Sequence, residues 1–173
     1  MRKKRLTRQS WIDAGLTALT EQGPSALAAE PLARALGTTK GSFYWHYKDV
    51  PAFQAAVVKD WQSRAFAEIV KALADSAPAD QRLRQFGRAF LADPTDPALR
   101  AWAQGDAMVA QALAQVDAER LTYIASLLRQ LGLANAEFAQ SCLGALVGLR
   151  QLPGSSSPTA GFETLIDLVL ALR

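Results

Sequence analysis

An all-α fold is predicted for this chain, with a small N-terminal helix-turn-helix domain joined by a long helix to a larger helical domain. Three observations predict it. Alanine and leucine are abundant while valine and isoleucine are few, which favours helix over strand. Apolar residues recur at steps of three and four along much of the chain. Glycine and proline gather between those stretches and punctuate them. With 173 residues, 50% of them hydrophobic, the chain can bury a real core, as one compact domain or as a small domain fused to a larger one.

The first helix runs from a Thr7 cap through Glu21, with Trp11, Ile12, Gly15, Leu16 and Leu19 as its apolar stripe and Gly23-Pro24 as its stop. It is expected to brace the two short helices after it. The stretch PLARALG at 31–37 reads as the first of these, with Leu32 and Leu36 one turn apart and Gly37 closing it in the left-handed conformation. A second short helix starts at once from Thr39, whose hydroxyl is expected to accept from the amide of Gly41 or Ser42. Phe43 and Tyr47, spaced i, i+4, form its buried stripe and turn Lys40, Gly41, Ser42, Tyr44 and His46 towards solvent. Two short helices across a tight glycine turn make a helix-turn-helix.

Lys48 to Pro51 then opens a long helix reaching about Ala74, with Asp49 as cap and Pro51 in the first turn. Phe53, Val57, Trp61, Ala65 and Ile69 advance along it in steps of four. A break is expected at Asp75 to Ala79, a helix from Asp80 to Leu91, and a turn at DPTDP, Asp93 to Pro97, where the prolines read as strong stops. Helical segments are expected from Pro97 to about Ala103 and from Gly105 to Leu131, the second open to an interruption, with Gly132 closing it.

The last pair, Asn135 to Leu152 and Thr159 to Arg173, is joined by PGSSSPTAG, which is loop by composition. Phe138, Cys142, Leu146 and Leu149 make the first stripe, beside a flat surface of Gly144, Ala145 and Gly148; Phe162, Leu165, Ile166 and Val169 make the second. Such stripes suit either the core of one chain or a four-helix interface between two copies.

Charge is distributed unevenly. Through Lys48 the chain carries +5, and the remainder carries −2, within a net charge of +3. A basic head on a mildly acidic body fits a phosphate-binding module attached to one that does not bind nucleic acid, although the RKKR start alone also fits a solvated basic tail. The head concentrates its chemistry in GTTKGSFYWHYKD, Gly37 to Asp49, which holds the chain's only histidine, two of its three tyrosines and one of its four tryptophans. A helix touching one neighbour cannot bury its whole circumference, so some of the rings from Phe43 to Tyr47 face outward. Tyr and His beside Lys40 and Lys48 suit phosphate hydrogen bonds, helped by the amides at the helix start.

Here the sequence resembles a known family. Gly37 through Lys48 matches the pattern of the DNA-binding domain of TetR-type transcriptional repressors: a closing glycine, a small residue, Ser or Thr, Lys, Gly, Ser or Thr, an apolar residue, Tyr, any residue, His, an aromatic and Lys. The resemblance is specific there and extends more loosely from about Arg5 to Trp61. Three positions depart from it: Thr38 stands where an apolar residue commonly packs, Pro51 where a charged residue is common, and Pro31 where Glu would complete a capping box.

The resemblance implies a DNA-binding domain over 1–48 and a ligand-binding and dimerisation domain over 49–173. Two copies would pair through their last two helices, using Phe138, Cys142, Ala145, Leu146, Leu149, Phe162, Leu165, Ile166 and Val169. A homodimer sets two recognition helices about 34–36 Å apart and selects an inverted-repeat operator in double-stranded DNA. Lys40 is assigned to base edges, Ser42 to a weaker reading role and Gly41 to close approach at a thymine methyl, while Thr39, Tyr44, His46 and Lys48 go to phosphates. Arg2 to Arg5 would supply an arm along the backbone or in the minor groove, Arg5 included. A small-molecule effector would sit among the central helices, with Trp61, Phe86, Phe90, Trp102, Met108, Gln111 and Tyr123 as candidate contacts, each of which also makes sense as plain core. Asp106 and Arg88 could orient a polar ligand, and equally need no role beyond solvated charge.

An enzyme is the weaker class. His46 and Cys142 lie far apart without repeated ligand spacing, no GxxxxGK loop occurs, and Asp93 with Asp96 reads as turn chemistry. No cofactor or metal is expected. A helical interaction protein that has lost sequence-specific DNA binding is the alternative to a repressor. The first apolar run is broken by Asp13 and Thr17, the uncharged stretch Phe138 to Leu149 is too short to span a bilayer, and a lone Cys142 cannot form an intrachain disulfide; together these predict a cytoplasmic protein without a membrane partner.

Overall fold

The computed structural model describes residues 6–152 and 157–171. Those residues contain nine α-helices and no strand, in agreement with the all-α expectation. In chain order they are α1 (Arg8–Gln22), α2 (Ala29–Ala35), α3 (Lys40–His46), α4 (Val50–Leu73), α5 (Ala79–Ala92), α6 (Thr95–Ala103), α7 (Ala107–Gln130), α8 (Ala136–Leu149) and α9 (Pro158–Ala171), with a 3-10 turn at Pro24–Ala26.

Local signals set many of the ends. Thr7 and Ser10 cap each other's amides at the start of α1. Gly37, at φ +62°, lets Thr38 donate to the Ala33 carbonyl and Gly37 to that of Arg34, which ends α2 in a closed left-handed turn. Gly132 ends α7 in the same way at φ +84°, with Leu133 donating to Leu128. The Asp49 carboxylate accepts from the Ala52 amide at 2.8 Å, and Asn135 accepts from Glu137 at 2.8 Å at the head of α8.

Two expectations fail locally, and one left open is settled. Thr39 caps α3 through its backbone only: its carbonyl accepts from Ser42 at 3.0 Å and its hydroxyl accepts from no helix amide. The DPTDP segment is a turn only at Asp93-Pro94, because Pro97 falls in the first turn of α6, where a missing amide proton costs nothing. Asp96 is accordingly a helix residue, 1% exposed and paired with Arg100 at 2.7 Å, rather than turn chemistry. Helix α7 is also continuous from Ala107 to Gln130, started by Asp106, whose carboxylate accepts from the Met108 and Val109 amides. That capping bond gives Asp106 a structural task.

The chain divides into two compact units, with breaks inside α4 and α7. One comprises the residues through Arg64 together with Thr95–Leu113; the other comprises Ala65–Pro94 and the residues from Ala114 onward. These units are defined by compactness, whereas the boundary expected at 48/49 rests on the resemblance of the N-terminal region.

In the first unit α1 packs on α2 and α6, and α2 on α3. Its centre is aromatic: Phe43 lies 5.4 Å from Trp11 and 5.2 Å from Phe53, both near-perpendicular, and Tyr47 lies 4.9 Å from Phe53. Gly15 allows that packing, since a Cβ there would come within 2.7 Å of the Phe53 ring. Arg64 ties α4 to α1 through Asp13 at 2.5 Å and also holds Asp60 at 2.6 Å.

In the second unit Leu83, Phe90, Ile124, Leu127, Leu128, Leu146, Phe162 and Ile166 are among the buried core. Helix α9 crosses α5 where Gly87 meets Phe162, and a Cβ at Gly87 would overlap the Phe162 ring. Beside that crossing Arg84 pairs with Glu163 and Asp167, and Arg88 with Glu163 at 2.8 Å. Arg88 is thus a strut between helices. Among the described residues no helix is long and apolar enough to cross a membrane, and no group of His, Cys, Asp and Glu is arranged to hold a metal ion.

Candidate nucleic-acid interface

Helix α3 is the most chemically loaded element, and its two faces differ sharply. Phe43 and Tyr47 are buried, as the i, i+4 spacing predicts. Tyr47 closes the helix: its hydroxyl donates to the Arg8 carbonyl at 3.0 Å, and the Arg8 guanidinium lies 4.8 Å from the centre of its ring. Burial pushes the Tyr47 phenol above its ordinary value, although Arg8 pulls the other way, so at neutral pH the group stays a hydrogen-bond donor. The imidazole of His46 leans on Trp11 at 6.5 Å and is half-buried. A seven-residue helix, too short to persist alone, is held by this aromatic anchor.

The opposite face is open. Lys40, Gly41, Tyr44, Trp45 and Lys48 are exposed, and Ser42 is half-buried. Thr39 is exposed with its hydroxyl left over from capping. Neither Lys40 nor Lys48 is paired with a carboxylate among the described residues. Trp45 is 88% exposed, nearly twice the 46% of Tyr44. Sequence reasoning leaves Trp45 unassigned. Its signal is nonetheless present, since a residue midway between Phe43 and Tyr47 sits about half a turn away from both, opposite the buried stripe. Arg5 and the rest of the expected arm lie outside the described residues.

The other candidate residues separate into groups. Phe86, Phe90 and Tyr123 come together in the second unit, with Phe86 at 6.3 Å from Phe90 and 5.6 Å from Tyr123. Trp61, Trp102, Met108 and Gln111 fall in the first unit, where the tryptophans are buried and Met108 and Gln111 are exposed. Of the residues expected at a dimer contact, Cys142, Leu146, Phe162, Ile166 and Val169 are at most 1% exposed and serve this chain's own core. Burial pushes the Cys142 thiol up to about 11, so it is chemically quiet. Phe138, Ala145, Leu149 and Leu165 are half-buried, while Gly144 and Leu168 are exposed on the same two helices.

Comparison with known proteins agrees with this geometry. Residues 12–49 match the family model for bacterial regulatory proteins of the tetR family. The transcriptional regulator AcuR of Cereibacter sphaeroides is 33% identical over 84 residues, covering 48% of this chain and 38% of AcuR. The chain spans less than two fifths of the length of the curated relatives that it matches. In fold it is similar along 95% of its length to a TetR-family regulator structure from Rhodococcus sp., with a TM-score of 0.74, 21% identity and 97% of that chain covered. A regulator from Saccharomonospora viridis in complex with choline gives a TM-score of 0.77 at 14% identity, with 95% of each chain covered. Residues 12–49 thus carry the sequence pattern of bacterial regulatory proteins of the tetR family, and the helices along most of the chain share the fold of solved TetR-family regulators.

Proposed function

We propose that this protein is a ligand-responsive repressor that binds an inverted-repeat operator as a homodimer and is released by a small-molecule effector. The observation that carries the reading is the outer face of α3, where unpaired Lys40 and Lys48 flank exposed Tyr44 and Trp45 on a helix anchored by buried rings. Trp45 buries little within the chain, and Tyr44 leans one edge on Phe43 at 5.3 Å while leaving 46% of its surface open; both suit contact with sugar and base edges, while the lysines suit phosphate and guanine. Lys40 reads a base edge, with Ser42 as a weaker reader; Thr39, Tyr44, His46 and Lys48 hold phosphates; Gly41 permits close approach. Residues 1–48 form the DNA-binding part and 49–173 the sensing and pairing part.

Pairing uses the faces of α8 and α9 that the chain leaves open. A Cβ placed on Gly144 or Gly148 would meet nothing, so no packing within the chain requires glycine there. A second copy crossing at close range does require it. Leu168, 59% exposed, lies on the neighbouring helix with half-buried Leu165. Gly144→Leu should therefore yield a folded monomer, seen by sedimentation, that binds single half-sites only weakly. A variant that stayed dimeric would move the interface elsewhere.

The effector acts in the second unit, at Phe86, Phe90 and Tyr123, and changes the position of α4, the helix that enters both units. Selection of bound duplexes from a genomic pool at two salt concentrations, with wild type and Lys40→Ala, tests the DNA half. An inverted repeat whose preference relaxes at one position per half-site in Lys40→Ala supports it, with affinity falling steeply as salt rises. Recovery of no preferred sequence would favour an interaction protein instead.

A further inference from the structure

Arg82, in the first turn of α5, is 9% exposed, and no carboxylate lies in ion-pair range of it among the described residues. Its Nη2 donates to the Ala72 carbonyl at 3.1 Å, and its guanidinium carbon lies 5.7 Å from the centre of the Tyr123 ring. Its Nε is buried with no hydrogen-bond partner. A buried cation normally has a carboxylate beside it, because leaving water is costly for a charge that nothing offsets.

Anchoring the end of α4 does not account for it. The Ala72 carbonyl, in the last turn of α4, already accepts from the Tyr123 hydroxyl at 3.3 Å. A neutral donor meets that need, so the positive charge and the free Nε are surplus to holding the helix end. Arg150 also has a buried nitrogen without a partner, Nη1, but differs in what the rest of its guanidinium does. Its Nη2 donates to the main-chain carbonyls of both Leu91 and Asp93, which marks it as a clamp on the end of α5.

We propose that Arg82 anchors an anionic effector, a carboxylate on an apolar or aromatic body lying along Phe86 and Tyr123, and that drawing the guanidinium off the Ala72 carbonyl is how the effector acts on α4. The inference rests on the reading of the second unit as the sensor. Nε and Nη2 form one edge of the guanidinium, the edge that receives a carboxylate through two parallel bonds. Nη2 is the nitrogen now engaged with Ala72, so a bidentate carboxylate competes with α4 for it. Phe86 is half-buried and gives the ligand a ring it can reach from solvent.

The test is thermal unfolding of the full chain in chloride buffer with benzoate, 4-hydroxybenzoate and octanoate, each against its carboxamide at matched ionic strength. Wild type, Arg82→Gln, Arg82→Lys and Arg150→Gln are compared, and affinity for a duplex carrying the selected inverted repeat is measured with the same compounds. At least one carboxylate should raise the wild-type midpoint where its carboxamide does not, and should lower DNA affinity about tenfold or more. Arg150→Gln should keep both responses and Arg82→Gln lose both. If Arg82→Gln does not fold, Arg82→Lys decides, since it keeps the charge without the side-on pair of donors and should lose most of the response.

Equal action of carboxylate and carboxamide, an intact response in either Arg82 variant, or no response to any carboxylate overturns the anion site. Release of DNA by a carboxamide alone would do so while leaving the sensor reading in place. Arg82-dependent binding of a carboxylate with unchanged DNA affinity would overturn the link to α4 and the sensor reading together, and leave the anion site standing.

Discussion

Helix α3 of the first unit and the core of the second treat aromatic rings and cations in opposite ways. In the first, α3 divides its rings between a buried side, Phe43 and Tyr47, and an open side, Tyr44 and Trp45, and its lysines stay in solvent without carboxylate partners among the described residues. In the second, the rings of Phe90 and Tyr123 are buried and guanidiniums are drawn in beside them: Arg82 over Tyr123, and Arg120 over Phe90 at 4.9 Å. Cations kept in water suit a large polyanion met at the surface, where desolvation stays small and long-range attraction speeds encounter. Cations taken inside suit a small partner that can enter after them, because burial makes each hydrogen bond to charge count for more.

The sharpest break of that contrast is removal of the ring that anchors the open face. Phe43→Ala should cost about 3–5 kcal/mol, since Phe43 is fully buried and meets Trp11, Tyr47 and Phe53 in the aromatic centre. Denaturant unfolding should show the loss, and DNA binding should vanish with it. A stable variant that still bound DNA would mean that α3 does not depend on this anchor. On the other side, Gly87→Ala should cost about 1–3 kcal/mol, because its methyl group overlaps the Phe162 ring. Adding Phe162→Leu should return part of that loss; a purely additive pair would rule out the contact as the cause.

Trp45→Ala isolates the open face. With the ring 88% exposed, stability should stay within about 0.5 kcal/mol of wild type, while affinity for every duplex falls together. Loss of stability instead would place Trp45 in packing.

The smallest effect concerns acid. Burial alone would raise the Glu163 carboxyl, but hydrogen bonds from Arg84 and Arg88 outweigh it and hold the group below its ordinary value of 4.5. A carboxyl lowered in the folded state adds stability that is full above 4.5 and fades as pH falls through the lowered value. Glu163→Gln should thus be less stable than wild type at pH 7, with the gap narrowing on acidification below 4.5. A gap that did not change with pH would assign the loss to packing.

Much of this molecule is legible in the chain order of its residues. Thr7, Gly37, Asp49, Gly132 and Asn135 mark helix ends where the sequence places them, because capping is decided within about four residues of the cap. The inward pair on α3 is legible for the same local reason. Pro97 misleads, since a proline reads as a stop until its place in the first turn of α6 is known. Trp45 is hidden by its company: five ring-bearing residues in a row say that some rings face outward, and only the docked helix shows which one stands furthest in solvent.

By itself, then, the sequence determined the helical class, the caps, the helix-turn-helix and the family signature between Gly37 and Lys48, all of which depend on neighbours a few residues away. Only the tertiary structure decided which apolar stripes of α8 and α9 are already spent on the chain's own core, that Asp96 is buried with Arg100, and that Arg82 is buried with no carboxylate beside it among the described residues. Those outcomes depend on side chains brought together from distant parts of the chain, and periodicity along one helix carries no record of what another helix brings to meet it.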